Sequence, residues 1–332
     1  MTRRHALSRT LAAALLMISI AACAQAAREA DTVTLATWNA EWLIEPATFD
    51  ELARVCIGRG GRAGGDQRTI PCDLVPARRW TDGDLDRLRD FAATVEADVV
   101  ALQEVDGPAA ATRLFPGWSF CFTSRRHVQN VGFAVRPGLP HRCNADYREL
   151  GLPENDVRWG ADLSLYPDQP QEVRLLAVHL KSGCNRDPLT ADSDNCRVLQ
   201  DQVPVLEAWI DARAEEGVAF AVLGDFNRRF DREFAPGRDG RGQIVAMWPE
   251  IDDGQPPEAD LVNPDDERPT EACRQQDPVR PAIDHILLSA SLGRAIVPGS
   301  YRMWTYPRGG TGARWPDHCI RSVRVEIPPG GL

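Results

Sequence analysis

The sequence predicts a mixed α/β protein with more than one β-sheet. Three features point there: an opening alternation of strand, helix and strand, a later stretch dense in strands, and polar residues repeated at the ends of apolar runs. A single doubly wound sheet would keep the alternation throughout, and this chain abandons it.

The chain opens with Arg3, Arg4 and Arg9, then an uncharged apolar run from Leu11 to Ala22, which is the layout of an export signal. That run is too short to form a stable membrane span. Two processing points compete. Ala24-Gln25-Ala26 satisfies the small-residue rule and would end a signal peptide covering residues 1–26, whereas Ile20-Ala21-Ala22-Cys23 resembles the lipobox of bacterial lipoproteins, with Cys23 acylated. The expected location is therefore periplasmic, outer-membrane-anchored or secreted. Residues 27–332 are expected to form one domain, since no break in composition divides them.

Thr32 to Trp38 alternates and is rich in β-formers, which predicts a strand ending at Asn39. Leu85, Leu88, Ala92 and Val95 recur at helical spacing behind acidic residues, predicting a helix over Asp82 to Val95. Asp98 to Leu102 is a short apolar run, hence a buried strand that delivers Gln103 and Glu104 at its end. Val173 to Leu180 and Val218 to Leu223 are two more strands. Between them Leu199, Val203, Leu206 and Ile210 mark a helical face, in which Pro204 implies either a kink or a helix start. Ala282 to Leu288 and Val323 to Ile327 are the last strands. The polar, Gly- or Pro-rich stretches Gly58 to Gly65 and Ala235 to Arg280 are expected to be surface loops, and no internal repeat is present. The first of them follows no strand and lacks a Lys-Ser or Lys-Thr pair, which excludes a nucleotide-binding loop.

Loss of Arg3, Arg4 and Arg9 takes the formal charge from −10 to −13. Such a chain has no global field for polyanions, so any nucleic-acid contact must be local. Lys181 is the single lysine. Apart from Cys23, the cysteines number eight, an even set that suits disulfides in an exported chain. Short gaps favour Cys56 with Cys72 and Cys184 with Cys196, which leaves Cys121 with Cys143 and Cys273 with Cys319. Cys184 to Cys196 lacks zinc-like spacing with histidine.

Carboxylates, amides and histidines recur in the segments TWNAEWL, ALQEV, VHLKSGC, VLGDFN, IDHILLS and PDHC. Strand ends are where a rigid sheet can present polar groups to one cleft. In this order the six segments resemble the endonuclease/exonuclease/phosphatase superfamily over nearly all of the chain beyond the signal. GDFN at Gly224 to Asn227 and the Asp317-His318 pair are the most specific marks.

The resemblance implies a deoxyribonuclease-like fold: a four-layer α/β/β/α sandwich of two packed mixed sheets flanked by helices. It also implies a metal-dependent phosphodiesterase using Mg2+, with Mn2+ or Ca2+ as alternatives. Asn39 is similar to the first-strand asparagine that serves both metal and substrate, and Glu104 to the metal-binding glutamate. His179 matches the histidine of the nuclease and sphingomyelinase branches, and Asp225 with Asn227 the GDxN pair. Asp284 matches the aspartate of the penultimate motif, and Asp317 with His318 the closing motif. Arg158 resembles a phosphate-contacting arginine at the start of a strand. Lys181 stands in the HLKSG variant, where it could contact phosphate or be a solvated strand-end charge.

The chemistry of these residue types agrees. A phosphodiester transition state is strongly anionic, so it calls for a cation, hydrogen-bond donors and a proton acceptor close together. Glu104 and Asp317 are hard oxygen ligands suited to Mg2+, which keeps several waters. His318 is the expected general base, oriented by Asp284, with Asp225 and Asn227 orienting water and phosphate. His179 would protonate the leaving oxygen or bond the phosphate, although the glutamate partner of the nuclease branch is missing from Trp118 to Arg136. His285 should point to the opposite strand face as a packed residue, and His127 and His141 should lie at the surface.

The expected substrate is a phosphodiester in nucleic acid, acted on by a monomer with no obligate protein partner and with membrane attachment only through Cys23. Two alternatives stand beside it: a sphingomyelinase-like or inositol-phosphate esterase on the same centre, and a non-catalytic binding protein on the same scaffold. The first needs an apolar membrane hairpin, for which Tyr301 to Tyr306 is the nearest candidate, against its reading as a buried strand.

Overall fold

The computed structural model describes residues 30–54, 62–63, 70–72, 79–155, 157–234, 236–265, 272–274, 282–307 and 313–332. Residues 1–29, on which the expected signal and Cys23 fall, lie outside the described residues, as do Cys56 and most of the stretch 58–65; the Cys56–Cys72 pairing therefore does too.

In chain order the strands are β1 (Asp31–Leu43), β2 (Arg62–Ala63), β3 (Ile70–Pro71), β4 (Val99–Val105), β5 (Ser119–Phe122), β6 (Asn130–Val135) and β7 (His141–Cys143). They continue as β8 (Ala161–Leu165), β9 (Val173–His179), β10 (Ala219–Asp225), β11 (Leu261–Val262), β12 (Asp284–Ser289), β13 (Arg302–Trp304) and β14 (Ile320–Ile327). The helices are α1 (Pro46–Ala53), α2 (Asp82–Thr94), α3 (Pro108–Leu114), α4 (Asp194–Glu215), α5 (Trp248–Ile251) and α6 (Ala290–Arg294). Two six-stranded mixed sheets result, in the orders β13-β14-β1-β4-β6-β5 and β11-β12-β10-β9-β8-β7. None of the described helices is long and apolar enough to cross a membrane.

Local chemistry explains the main helices. Thr81 caps α2 in a reciprocal capping box with Asp84, and Leu85, Leu88 and Ala92 face the core. Ser193 caps α4 by accepting from the Cys196 amide, and the helix runs through Pro204, so it does not begin there. The short helices α1 and α3 were not expected from the sequence, although each carries proline in its first turn. Strands β5 to β7 were likewise unforeseen, whereas β8 answers to the strand expected beside Arg158. The expectation of a plain surface loop over 235–280 is corrected in part: Ile251 and Leu261 are buried, and β11 pairs with the edge of β12. The stretch 301–306 is the edge strand β13 flanked by buried Tyr301 and Tyr306, not a membrane hairpin. His127 and His141 are half-buried rather than exposed.

Three apolar layers hold the sandwich. One lies between the two sheets, one between the first sheet and α2 with α3, and one between the second sheet and α4. In β1, Val33 and Leu35 enter the space between the sheets whereas Ala36, Trp38 and Ala40 face the helices. The same alternation puts Val99 and Ala101, Leu175 and Ala177, Ala221 and Leu223, Ile286 and Leu288, and Val323 and Val325 between the sheets. One further step of two along each strand reaches Gln103, His179, Asp225, Asp284 and Arg321, and two such steps along β1 pass Thr37 to reach Asn39. Register closes the set, because Asp225 lies opposite both His179 and Asp284, and Asn39 lies opposite Gln103.

His285 takes the other face of β12, as its parity requires. It is buried, stacks on Phe230 with ring centroids 4.1 Å apart, and bonds the Arg228 carbonyl through Nε2 at 3.0 Å. Burial pushes its pKa down to about 4. The unfolded chain then binds a proton below about pH 6.5 that the folded chain refuses until about pH 4, so stability falls as pH falls across that window, by about 3 kcal/mol at most. Chemical denaturation near pH 7 and near pH 4.5 should show His285→Phe losing less stability than wild type on acidification; equal losses would remove His285 as a source of acid sensitivity.

Candidate active site

Strand β10 ends in Asp225, which is 2% exposed and accepts bonds from the first sheet and from the turn that follows it. Asn39 Nδ2 of β1 donates to its Oδ2 at 3.1 Å, and the Asn227 amide donates to its Oδ1 at 2.8 Å. The same Oδ2 faces His179 Nε2 at 3.5 Å and His318 Nε2 at 3.9 Å. Burial and the nearby Asp284 push the Asp225 pKa up to about 7, against the pull of His318 and its two donors.

His318 stands just before β14, with Nδ1 2.8 Å from Asp284 Oδ2 and 3.0 Å from Oδ1. Burial opposes its imidazolium, but Asp284, Asp225 and Asp317 outweigh burial and hold its pKa well above the ordinary range. The dyad expected from the sequence is therefore present. Asp225, Asp284 and His318 also form a triad of atoms within 4.8 Å that could hold a metal. The short bidentate contact of Asp284 with Nδ1 is better explained by a shared proton than by a shared ion, because it occupies the ligand atoms.

His179 ends β9 on the neighbouring strand. Burial, then Arg158, His318 and Arg125, hold its pKa well below the ordinary range. Its Nδ1 is buried and has no partner among the described residues, so no described carboxylate takes the place of the partner glutamate. Within Trp118 to Arg136 it is the charge of Arg125 that acts on His179.

The expected metal ligands form a connected run. Asn39 Nδ2 donates to Glu104 Oε1 at 3.4 Å, Asn39 Oδ1 accepts from the Glu41 amide at 3.0 Å, and Glu41 Oε2 accepts from the Asp317 amide at 3.0 Å. Glu41 is a third carboxylate between Glu104 and Asp317 that sequence reasoning did not single out. Its place two residues after Asn39 was the available signal. Left-handed φ values at Glu41 (49°), Trp42 (55°) and Glu104 (58°) accompany a shifted register between β1 and β4, so the strand alternation ends at this part of the site. The donors are all hard oxygens, and Glu104 and Asp317 are 16% and 28% exposed, which leaves room for the waters that Mg2+ retains. As hard oxygen donors these residues suit a divalent cation, although the oxygens of Glu41, Glu104 and Asp317 do not gather within 4.8 Å of one another as the ligand atoms of Asp225, Asp284 and His318 do.

The remaining candidates play narrower parts. Arg158 lies three residues before β8 rather than at its start. It donates to the main-chain carbonyls of His179 (2.8 Å) and Leu180, so it first positions the end of β9 and offers substrate only its remaining nitrogen and its charge. Asn227 donates through Nδ2 to the Leu180 carbonyl at 3.1 Å, which leaves one amide hydrogen for substrate. Lys181 Nζ is held by Asn195 Oδ1 at 2.6 Å and the Ser182 carbonyl at 2.8 Å, at the rim.

The Endonuclease/Exonuclease/phosphatase family model matches residues 36–322. No curated protein matches the chain. Among solved structures, truncated TDP2 from Caenorhabditis elegans superposes with a TM-score of 0.54 at 14% identity, over 89% of this chain and 97% of that one. NExo, a 3'-5' exonuclease from Neisseria meningitidis, gives 0.52 at 17% identity, over 88% and 98%. A family protein from Bacteroides thetaiotaomicron gives 0.51 at 12%, over 90% and 99%. The sandwich fold is shared with all three.

Gly224 sets how closely β10 approaches β9, since a Cβ there would lie 2.0 Å from the Val178 carbonyl oxygen. Gly224→Ala is expected to lose about 1–3 kcal/mol in denaturant titration and about a hundredfold in turnover, as Asp225 is carried away from His179. A variant with wild-type values in both would show that this approach does not set the site.

Proposed function

We propose that this chain, which belongs to the endonuclease/exonuclease/phosphatase family and is a metal-dependent phosphoric ester hydrolase, cleaves phosphodiester bonds of DNA or RNA with Mg2+ as its ion. The observation that carries this reading is the convergence of two imidazole Nε2 atoms on one buried carboxylate oxygen, at 3.5 and 3.9 Å, beside the run of Glu104, Asn39, Glu41 and Asp317.

Asp284 holds Nδ1 of His318, so Nε2 of the neutral ring is the atom that takes the proton of an attacking water, and the same carboxylates that raise the His318 pKa stabilise the imidazolium that forms. Asp225, accepting from Asn39 and the Asn227 amide, orients that water between the histidines. His179, buried and neutral, serves through an Nε2–H donated to a phosphate oxygen rather than as an imidazolium acid. Arg158 adds positive charge beside it. Glu104 and Asp317, with Glu41 and Asn39, would hold Mg2+, which supplies charge stabilisation at the phosphate oxygens.

Nucleic acid is favoured over lipid because Tyr301 and Tyr306 are buried around an edge strand, which removes the candidate membrane hairpin. The similar Neisseria enzyme is a 3' phosphatase with a product DNA hairpin, and TDP2 from D. rerio holds a single-strand DNA product. Export belongs to the same proposal, on the basic and apolar N-terminal pattern and the disulfides Cys121–Cys143, Cys184–Cys196 and Cys273–Cys319.

Purified, oxidised protein should release acid-soluble nucleotides from DNA or RNA with Mg2+ and cease to do so with EDTA. Activity confined to sphingomyelin, with nucleic acids and bis-p-nitrophenyl phosphate untouched, would sink the nuclease reading. His318→Ala is expected to stay folded and to lose about a thousandfold in turnover; comparable rates would refute its role as base.

A further inference from the structure

His318 stands on a segment without ladder partners, since β14 begins only at Ile320. Its main chain is nevertheless fixed from two directions. The hydroxyl of Tyr306 donates to the His318 carbonyl at 2.5 Å and accepts from Trp38 Nε1 at 2.9 Å. Trp38 is a fully buried residue of the central strand β1, so the phenol ties the histidine to the middle of the first sheet. The amide of Tyr306 donates to the Cys273 carbonyl at 2.8 Å, and Cys273 is joined by disulfide to Cys319, the residue after His318. A closed circuit results: from His318 through Cys319, across the disulfide to Cys273, to the Tyr306 amide, and from the Tyr306 hydroxyl back to the His318 carbonyl. The Tyr306 ring is itself clamped, lying parallel to Trp315 at 5.1 Å and against Phe91 at 4.9 Å.

We propose that Tyr306 is a positioning residue for the reaction: its hydroxyl sets where the His318 imidazole stands over Asp284 and Asp225. This rests on the reading of His318 as the base. A phenol in this place donates to one main-chain atom while accepting from an indole, a pairing that phenylalanine lacks entirely. Without it the His318 carbonyl and the Trp38 N–H lose their partners, and one of the two arms that hold the segment is open. The ring then samples positions away from the short contact with Asp284, and the reacting geometry is diluted.

The decisive variant is Tyr306→Phe, which keeps the aromatic stack and removes one oxygen. We expect kcat to fall about tenfold or more with KM within about twofold of wild type. The downfield proton resonance of the His318 Nδ1–H, assigned by its absence in His318→Ala, should broaden or weaken in Tyr306→Phe at unchanged circular dichroism. The paired variant Cys273→Ser with Cys319→Ser opens the other arm and should move both readouts the same way. A wild-type kcat, or an unchanged resonance, in Tyr306→Phe would overturn the proposal. If instead His318→Ala turns over like wild type, it is the base assignment that fails, while the resonance still decides whether Tyr306 holds the ring.

Discussion

The bond from Asn39 of the first sheet to the buried Asp225 carboxylate of the second is the contact on which the site depends. A carboxylate removed from water is costly unless donors surround it, and Asp225 draws them from the first sheet and from the turn that follows it. Its oxygen then becomes the point toward which His179 and His318 face, one from each sheet. Because the apolar layer behind is close-packed, the sheets cannot slide to relax this end without disturbing the rest of the core.

The surrounding supports act on the backbone more than on the reacting groups. Gly224 lets β10 approach Val178 closely, and Arg158 ties the end of β9 through the carbonyls of His179 and Leu180. Arg228, the residue after Asn227, is buried against Glu233 and bonds the carbonyls of Cys184 and Asp187, which fastens the turn after β10 to the loop closed by Cys184–Cys196. On the other side, Tyr306 and the Cys273–Cys319 disulfide do the same for His318. Both histidines thus stand at strand ends whose main chains are anchored by neighbours distant in sequence, which is how groups at the end of a sheet gain the precision that catalysis needs.

Legibility in the sequence followed local signal strength. The apolar strands that became β1, β4, β9, β10, β12 and β14 were readable because each buries a continuous run, and the polar residue closing each run was readable with it. Strands β5 to β7 were not, since Gly132 in β6 yields its side-chain space to Phe122 and β7 is only three residues long. Short sequence gaps suggested Cys184 with Cys196, and the structure contains that pair together with Cys121–Cys143 and Cys273–Cys319. Glu41 shares strand parity with Asn39, but the strand pattern was taken to end at Asn39, and only the left-handed backbone at Glu41 and Trp42 and the bond to the Asp317 amide bring its carboxylate to the site.

By itself the sequence determined the mixed α/β class, the two faces of the central strands, and the set of polar residues at their ends, because alternation along a strand is a property of neighbouring residues. Only the tertiary structure decided which of those residues meet. The convergence of Asn39 with Asp225, the absence of a partner for His179 Nδ1 among the described residues, and the bonds that join Trp38, Tyr306 and His318 depend on how two sheets pack and on contacts spanning up to 268 positions. No local pattern carries that information, since packing is resolved only when the whole core closes.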